Sequence, residues 1–153
     1  MDVPNTPLYP FGYGLSYSNF TYSDLALDKE EYRMDDTIQV TVKVKNDSDI
    51  GGEEVIQLYV RDLVGSVTRP VKELKGFQKV YFEAGEEKTI TFQLNKDHLA
   101  FYTASMEFKT EAGDFKVYVG TNSPNIYQLH LRYLNNVQLK MHSWGSTLAF
   151  WFQ

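Results

Sequence analysis

The chain has 153 residues, no cysteine, an aromatic content of 15% and a formal net charge of −5. This length allows one domain with a buried core plus extensions, and the lack of cysteine excludes disulfides and thiolate metal sites. The acidic balance argues against nucleic acid as a partner. No apolar run is long enough to cross a membrane, and no signal peptide is visible at the start of the chain, so the compartment stays unknown.

The first segment, 1–19, is irregular in composition and rich in aromatic residues. Residues 7–20 read PLYPFGYGLSYSNF. Proline removes backbone donors and glycine weakens regular elements, whereas a solvated linker is normally polar. We therefore predict an interdomain linker whose aromatic side chains rest on a neighbouring surface: Tyr9, Phe11, Tyr13 and Tyr17. In the isolated chain we expect residues 1–18 to be poorly packed.

From Tyr22 onwards, apolar and polar residues alternate with a period of two, as in strands with one buried face. The predicted strands lie around 22–27, 38–44, 55–60, 71–82, 90–94, 106–108 and 115–119. Gly76 predicts a bulge or a break, and 97–102 an irregular or helical turn. We expect the strand aromatics Tyr59, Phe77, Tyr81, Phe92 and Phe115 to lie in the core. About seven strands at this spacing are typical of an all-β, immunoglobulin-like or fibronectin type III-like sandwich, here assigned to 20–123.

Residues 124–153 differ from the rest, because no carboxylate side chain follows Asp114. Alternation over 127–133 predicts a last strand, and Asn135-Asn136 followed by further alternation allows a hairpin. The apolar run 148–152 would promote aggregation if exposed. Residues 134–153 fit either a native extension or a tail from a shifted reading frame, and the loss of acidic residues favours the second.

The sequence shows no catalytic constellation. A Gly-rich phosphate loop, a serine elbow and a cysteine nucleophile are all missing, and the three histidines lack metal-binding spacing. Acidic pairs such as Glu53-Glu54 fall at strand entries, where a solvated rim is expected. We therefore expect no catalytic residue, cofactor or metal site. Arg69, followed by Pro70 in a long connection, is either a fork for a partner's carboxylate or an ordinary loop residue.

In order, these motifs resemble the C-terminal fibronectin type III-like domain of family 3 glycoside hydrolases, the β-glucosidase and β-xylosidase group. The matching stretches are PLYPFGYGLSYSNF at 7–20, EEVIQLYVRD at 53–62, SVTRPVKELKGFQKV at 66–80, AGEEKTITFQL at 84–94, HLAFY at 98–102 and GDFKVYVGTNS at 113–123. Two departures stand out: residues 105–108 are short and lack an expected tryptophan, and 134–153 has no counterpart.

The resemblance implies a fragment without catalytic residues. In such enzymes the nucleophilic aspartate lies on a barrel domain in a Ser-Asp-Trp context, and the acid/base residue usually lies on an α/β sandwich domain. Here Ser23-Asp24 is followed by Leu25. The implied role is an accessory domain of a retaining β-glycosidase, docked on those two domains and reaching carbohydrate only through them. Secreted, periplasmic and cytoplasmic parents are all compatible with this.

The residues expected at that docking interface are Tyr9, Phe11, Tyr13, Tyr17, Arg69 and Pro70. Two other functions stay open. One is a stand-alone module that binds carbohydrate or another polymer through exposed coplanar aromatic rings. The other is a protein-interaction domain unrelated to carbohydrate.

Overall fold

The computed structural model describes residues 7–123 and 126–134. Within these ranges the elements are β1 (Phe20–Leu27), β2 (Glu31–Arg33), β3 (Ile38–Asn46), β4 (Gly52–Asp62), β5 (Glu73–Phe82), β6 (Glu87–Leu94), α1 (Lys96–Leu99), β7 (Phe101–Tyr102), β8 (Phe108–Lys109), β9 (Gly113–Gly120) and β10 (Ile126–Leu134). The predicted hairpin after Asn135 and the apolar run 148–152 lie outside the described residues. In the part that is described, no helix has the length and apolarity to cross a membrane.

The strands form two main sheets and a small hairpin. One sheet has the order β2-β10-β9-β4-β5, the other β1-β3-β6, and β7 pairs with β8. Neighbours are antiparallel except β2 and β10, which are parallel. The predicted all-β sandwich is confirmed. The two strands that the sequence did not predict, β2 and β7, are only three and two residues long, too short for a period of two to show in the sequence.

The core lies between the two sheets and follows the alternation of the sequence. On β3, Ile38, Val40, Val42 and Val44 are buried and face the sandwich interior. The five-stranded sheet contributes a matching set from β4, β9 and β10: Ile56, Leu58, Val60, Phe115, Val117, Val119, Leu131 and Tyr133. Burial of this apolar surface is the main driving force for folding.

Two bulges change the direction in which side chains point. In β1 the pairing with β3 slips between Ser23 and Ala26, around Asp24 with a φ of 50°. In β5 the pairing slips from Leu58↔Gly76 to Tyr59↔Leu74. One extra residue therefore lies between Gly76 and Leu74, and Gly76 marks a bulge inside a continuous strand, the first of its two predicted roles.

The expected core aromatics are only partly buried. Tyr59, Phe92 and Phe115 are buried, but Phe77 is 65% exposed and Tyr81 is 49% exposed. The prediction is wrong for these two because β5 is an edge strand whose inward positions are taken by Val80 and Phe82 and their neighbour Gln78. Phe77 and Tyr81 alternate with these residues and face outward.

Candidate docking surface

The outer face of the five-stranded sheet is buried where β4 and β9 meet. The inward side chains of β4 alternate with Gln57 and Tyr59, which point outward. Both are nevertheless almost fully buried, with 6% and 3% exposure, as is Tyr118 on β9 with 5%. Something must therefore cover this outer face.

The N-terminal segment, defined here as residues 7–18, supplies part of the cover. The ring of Phe11 meets that of Tyr59 edge-on, with centroids 6.5 Å apart and an angle of 82°. The backbone oxygen of Phe11 accepts a hydrogen bond from the amide of Ser123 at 3.1 Å. Gly12 has a φ of +80°, and a Cβ there would overlap the side-chain amide of Gln57. Only glycine lets the segment lie this close in that conformation.

Gln57 links the cover to the sheet. Its Nε2 donates hydrogen bonds to the backbone oxygen of Thr121, at 2.7 Å, and to that of Gly12 in the N-terminal segment, at 3.5 Å. Its Oε1 accepts a hydrogen bond from the hydroxyl of Tyr59. Burial raises the pKa of Tyr59, which keeps the phenol protonated as a donor. A buried side-chain amide with both ends bonded fixes the local geometry of strand, segment and loop.

The aromatic residues predicted for docking project from this segment into solvent. Tyr9 and Tyr13 have ring centroids 5.4 Å apart at an angle of 38°. Tyr9, Phe11, Tyr13 and Tyr17 are 68%, 66%, 47% and 97% exposed. The segment thus contacts the sheet around Phe11 and Gly12 and leaves large apolar side chains uncovered. A contiguous exposed apolar patch is typical of an interaction site.

Arg69 lies in the connection between β4 and β5, and its guanidinium points inward. The side chain is 11% exposed, and Nη2 donates to Oε1 of Glu73 at 2.6 Å. The guanidinium carbon lies 4.1 Å from the ring centroid of Phe101, whereas the neighbouring Pro70 is exposed. Nε and Nη1 of Arg69 are buried with no hydrogen-bond partner in the described part of the chain.

Glu73 anchors this connection through two cations. Burial disfavours its charge, but Lys75 at 2.8 Å and Arg69 together hold the pKa of Glu73 below its usual value. Nη2 of Arg69 is therefore engaged within the domain, by Glu73. A direct part for Arg69 and Pro70 in docking stays a prediction.

Glu54 is a partly buried carboxyl that was expected in a solvated rim. It accepts a hydrogen bond of 2.8 Å from the hydroxyl of Tyr22, and burial raises the pKa of Glu54. It lines a 390 Å³ cavity between β4 and the N-terminal segment. The sequence could have predicted this partial burial, because Glu54, Ile56 and Leu58 are spaced two residues apart on one strand and therefore point to the same, inward face. Retaining glycosidases use two carboxyl groups about 5–5.5 Å apart. The hydrogen-bond partner of Glu54 is instead the phenol of Tyr22.

Comparison with known proteins shows which family of domains the chain resembles. Residues 54–123 match the fibronectin type III-like domain family. The chain is 48% identical over 121 residues to thermostable beta-glucosidase B of Acetivibrio thermocellus, a match that covers 78% of this chain and 16% of that protein. It is 47% identical over 117 residues to a putative beta-xylosidase of Formosa agariphila, which covers 76% of this chain and 16% of the relative.

The solved structures agree with the sequence relatives. The beta-glucosidase from Listeria innocua in complex with glucose superposes with a TM-score of 0.83 and 45% identity, over 87% of this chain and 18% of that one. The chain therefore belongs to the fibronectin type III-like domains of family 3 glycoside hydrolases, as its motifs predicted. It spans less than one fifth of the length of these relatives.

Proposed function

We propose that this chain is a non-catalytic accessory domain of a retaining β-glycosidase and that it docks on the domains that carry the catalytic residues. The observation that supports this most directly is the N-terminal segment. It contacts the sandwich around Phe11 and Gly12, yet it holds Tyr9, Tyr13 and Tyr17 exposed. Interfaces between proteins are enriched in such aromatic side chains, and a few of them usually carry most of the binding energy.

In this proposal the whole enzyme hydrolyses O-glycosyl bonds in carbohydrate metabolism. The catalytic carboxyl groups lie on a barrel domain and an α/β sandwich domain, and this domain stabilises them. The share of each relative that the chain matches, 16%, leaves ample length for two such domains. Docking would bury the exposed rings of the segment and so contribute to the free energy of unfolding of the whole enzyme.

The alternative is a module that binds carbohydrate or another polymer by itself. Such modules stack sugar rings on coplanar aromatic faces. Among the described residues, the two pairs in which both rings are exposed are tilted instead, at 38° for Tyr9 and Tyr13 and at 51° for Tyr102 and Phe108. This geometry favours docking against another protein surface.

A chimera tests the proposal. The aligned segment of thermostable beta-glucosidase B is replaced by the aligned residues of this chain, with and without the triple change Tyr9→Ser, Tyr13→Ser and Tyr17→Ser. We expect the chimera to hydrolyse an aryl β-glucoside and the triple variant to unfold at a lower temperature. In the isolated chain the same changes should leave the unfolding temperature almost unchanged, because the rings are already exposed.

Three results would contradict the proposal. One is turnover of the glucoside by the isolated chain that survives repurification. A second is a triple variant that behaves like the unsubstituted chimera. The third is saturable retention of the isolated chain on an insoluble glycan, lost in the triple variant, which would favour the binding module.

A further inference from the structure

The outer face of the five-stranded sheet carries a row of basic side chains on three adjacent strands. Arg61 of β4 is paired with Lys116 of β9, and Lys116 is paired with His130 of β10. These positions have the same parity as the outward Tyr59 and Tyr118, so all three lie on the outer face. We call Arg61, Lys116 and His130 the cationic row. Among the described residues, none of the three forms an ion pair with a carboxylate.

Lys72 extends the cationic row toward the N-terminal segment. Its Nζ lies 5.1 Å from the ring centroid of Tyr118 and donates a hydrogen bond of 2.8 Å to the backbone oxygen of Ser123. Burial, and then the charge of Arg61, lower the pKa of Lys72. The amide of the same Ser123 is bonded to Phe11. The cationic row and the exposed aromatic rings are therefore parts of one continuous surface.

The neighbouring row on the same face is neutralised within the domain. Arg132 of β10 lies between Asp114 of β9 and Glu31 of β2. Its Nε is 3.0 Å from an Asp114 oxygen, and its Nη1 is 3.9 Å from a Glu31 oxygen. Opposite charges across strands stabilise a sheet, whereas like charges placed directly opposite one another destabilise it. Arg61 and Lys116, which lie directly opposite one another, thus keep an unfavourable arrangement on a chain whose net charge is −5.

We propose that the cationic row binds acidic side chains of the neighbouring domains, beside the aromatic anchors of the N-terminal segment. This inference rests on the proposed function, because the partner is the catalytic part of the same enzyme. Carboxylates of the neighbouring domains, placed opposite the row, offset the repulsion among its cations by favourable contacts across the interface. Charges at the edge of an aromatic patch also fix the orientation of docking.

The test uses the same chimera with Arg61→Gln and Lys116→Gln together. A matched control, Lys43→Gln with Lys45→Gln, removes two cations from β3 in the other sheet, where each forms an ion pair. In the chimera we expect the first pair to lower the unfolding temperature by about 2–4 °C and to reduce its dependence on salt. In the isolated full chain the same pair should leave the unfolding temperature unchanged or raise it, because like charges are removed.

Several results would overturn the inference. If Arg61→Gln with Lys116→Gln lowers the unfolding temperature of the chimera no more than that of the isolated chain, the cationic row has no acidic partner. The control pair loses two ion pairs within the domain and should therefore change the chimera and the isolated chain alike. If the isolated chain binds polygalacturonate and loses that binding with Lys116→Gln, the row recognises an anionic polysaccharide instead. A chimera that does not assemble contradicts the proposed function itself, whereas one that assembles but ignores the substitutions contradicts the cationic row alone.

Discussion

The two faces of the five-stranded sheet are both buried at β4 and β9, but in different ways. The inner face presents Ile56, Leu58, Val117 and Val119 to the three-stranded sheet, all of them nearly inaccessible to solvent. The outer face presents tyrosines and a glutamine to a Pro- and Gly-rich segment that contacts it around Phe11 and Gly12. The domain completes its inner face by itself, whereas its outer face depends on an added cover.

The difference suggests how stability and docking are divided. Apolar side chains that interdigitate between two sheets form a cooperative core. A cover held by one ring contact, a few hydrogen bonds and a close approach at a glycine can be displaced while the sandwich stays folded. Substitutions on the two faces should therefore differ in how much they lower the free energy of unfolding and in how much of the domain they affect.

The largest effect is expected on the inner face. Phe115→Ala removes a ring that is 1% exposed and that packs edge-on against Tyr133 at 6.3 Å. The cavity left behind should lower the free energy of unfolding by about 3–5 kcal/mol, measured by urea denaturation. Phe77→Ala on the exposed edge strand is the control and should cost less than about 0.5 kcal/mol. Equal losses for both would contradict the assignment of Phe115 to the core.

A smaller and local effect is expected on the outer face. Gly12→Ala places a Cβ against Gln57 at a positive φ, whereas Gly14→Ala meets no heavy atom within 4 Å. The first change should displace the cover at a cost of about 1–3 kcal/mol, and the second should cost little. Hydrogen exchange of the Ser123 amide, which is bonded to Phe11, should accelerate in the first variant only. Protection of that amide in both variants would show that the cover tolerates the change.

Much of the inner face could be predicted from the sequence, because strict alternation along β3, β6 and β9 fixes which side chains meet. The sandwich class followed from the number and spacing of such strands. The predictions that failed concern side chains whose burial depends on strands far away in the sequence. Phe77 and Tyr81 read as core residues because alternation does not tell which strand lies at the edge of a sheet.

The outer face was less predictable for a related reason. The nearly continuous apolar run of β4 shows that both sides are buried, but not what covers the second side. The aromatic composition of the N-terminal segment indicated a surface, and the contact of Phe11 with Tyr59 supplies one part of it. The cationic row stayed hidden because Arg61, Lys116 and His130 meet only through the pairing of three strands.

The smallest predicted effect concerns Glu54, an inward-pointing residue of β4 that lines the cavity under the N-terminal segment. Burial raises the pKa of Glu54, while burial of Tyr22 raises the pKa of that phenol and keeps it protonated as the donor. In an unfolded chain the carboxyl ionises at a lower pH than in the folded one. The stability that the neutral form provides is therefore complete at low pH and is lost as the pH rises through the folded pKa.

Glu54→Gln keeps an oxygen that accepts from Tyr22 and removes the charge. At pH 7 the variant should be more stable than the parent by about 0.5 kcal/mol, a value reduced for solvent screening of a half-exposed group. Near pH 3 the two proteins should unfold alike. Glu53→Gln, which loses an exposed ion pair of 2.6 Å with Lys79, is the control and should show no such gain at pH 7. If Glu54→Gln is instead less stable than the parent at pH 7, the carboxylate of Glu54 is stabilised in the fold. The inward end of β4 would then accommodate a charged carboxylate beside Tyr22.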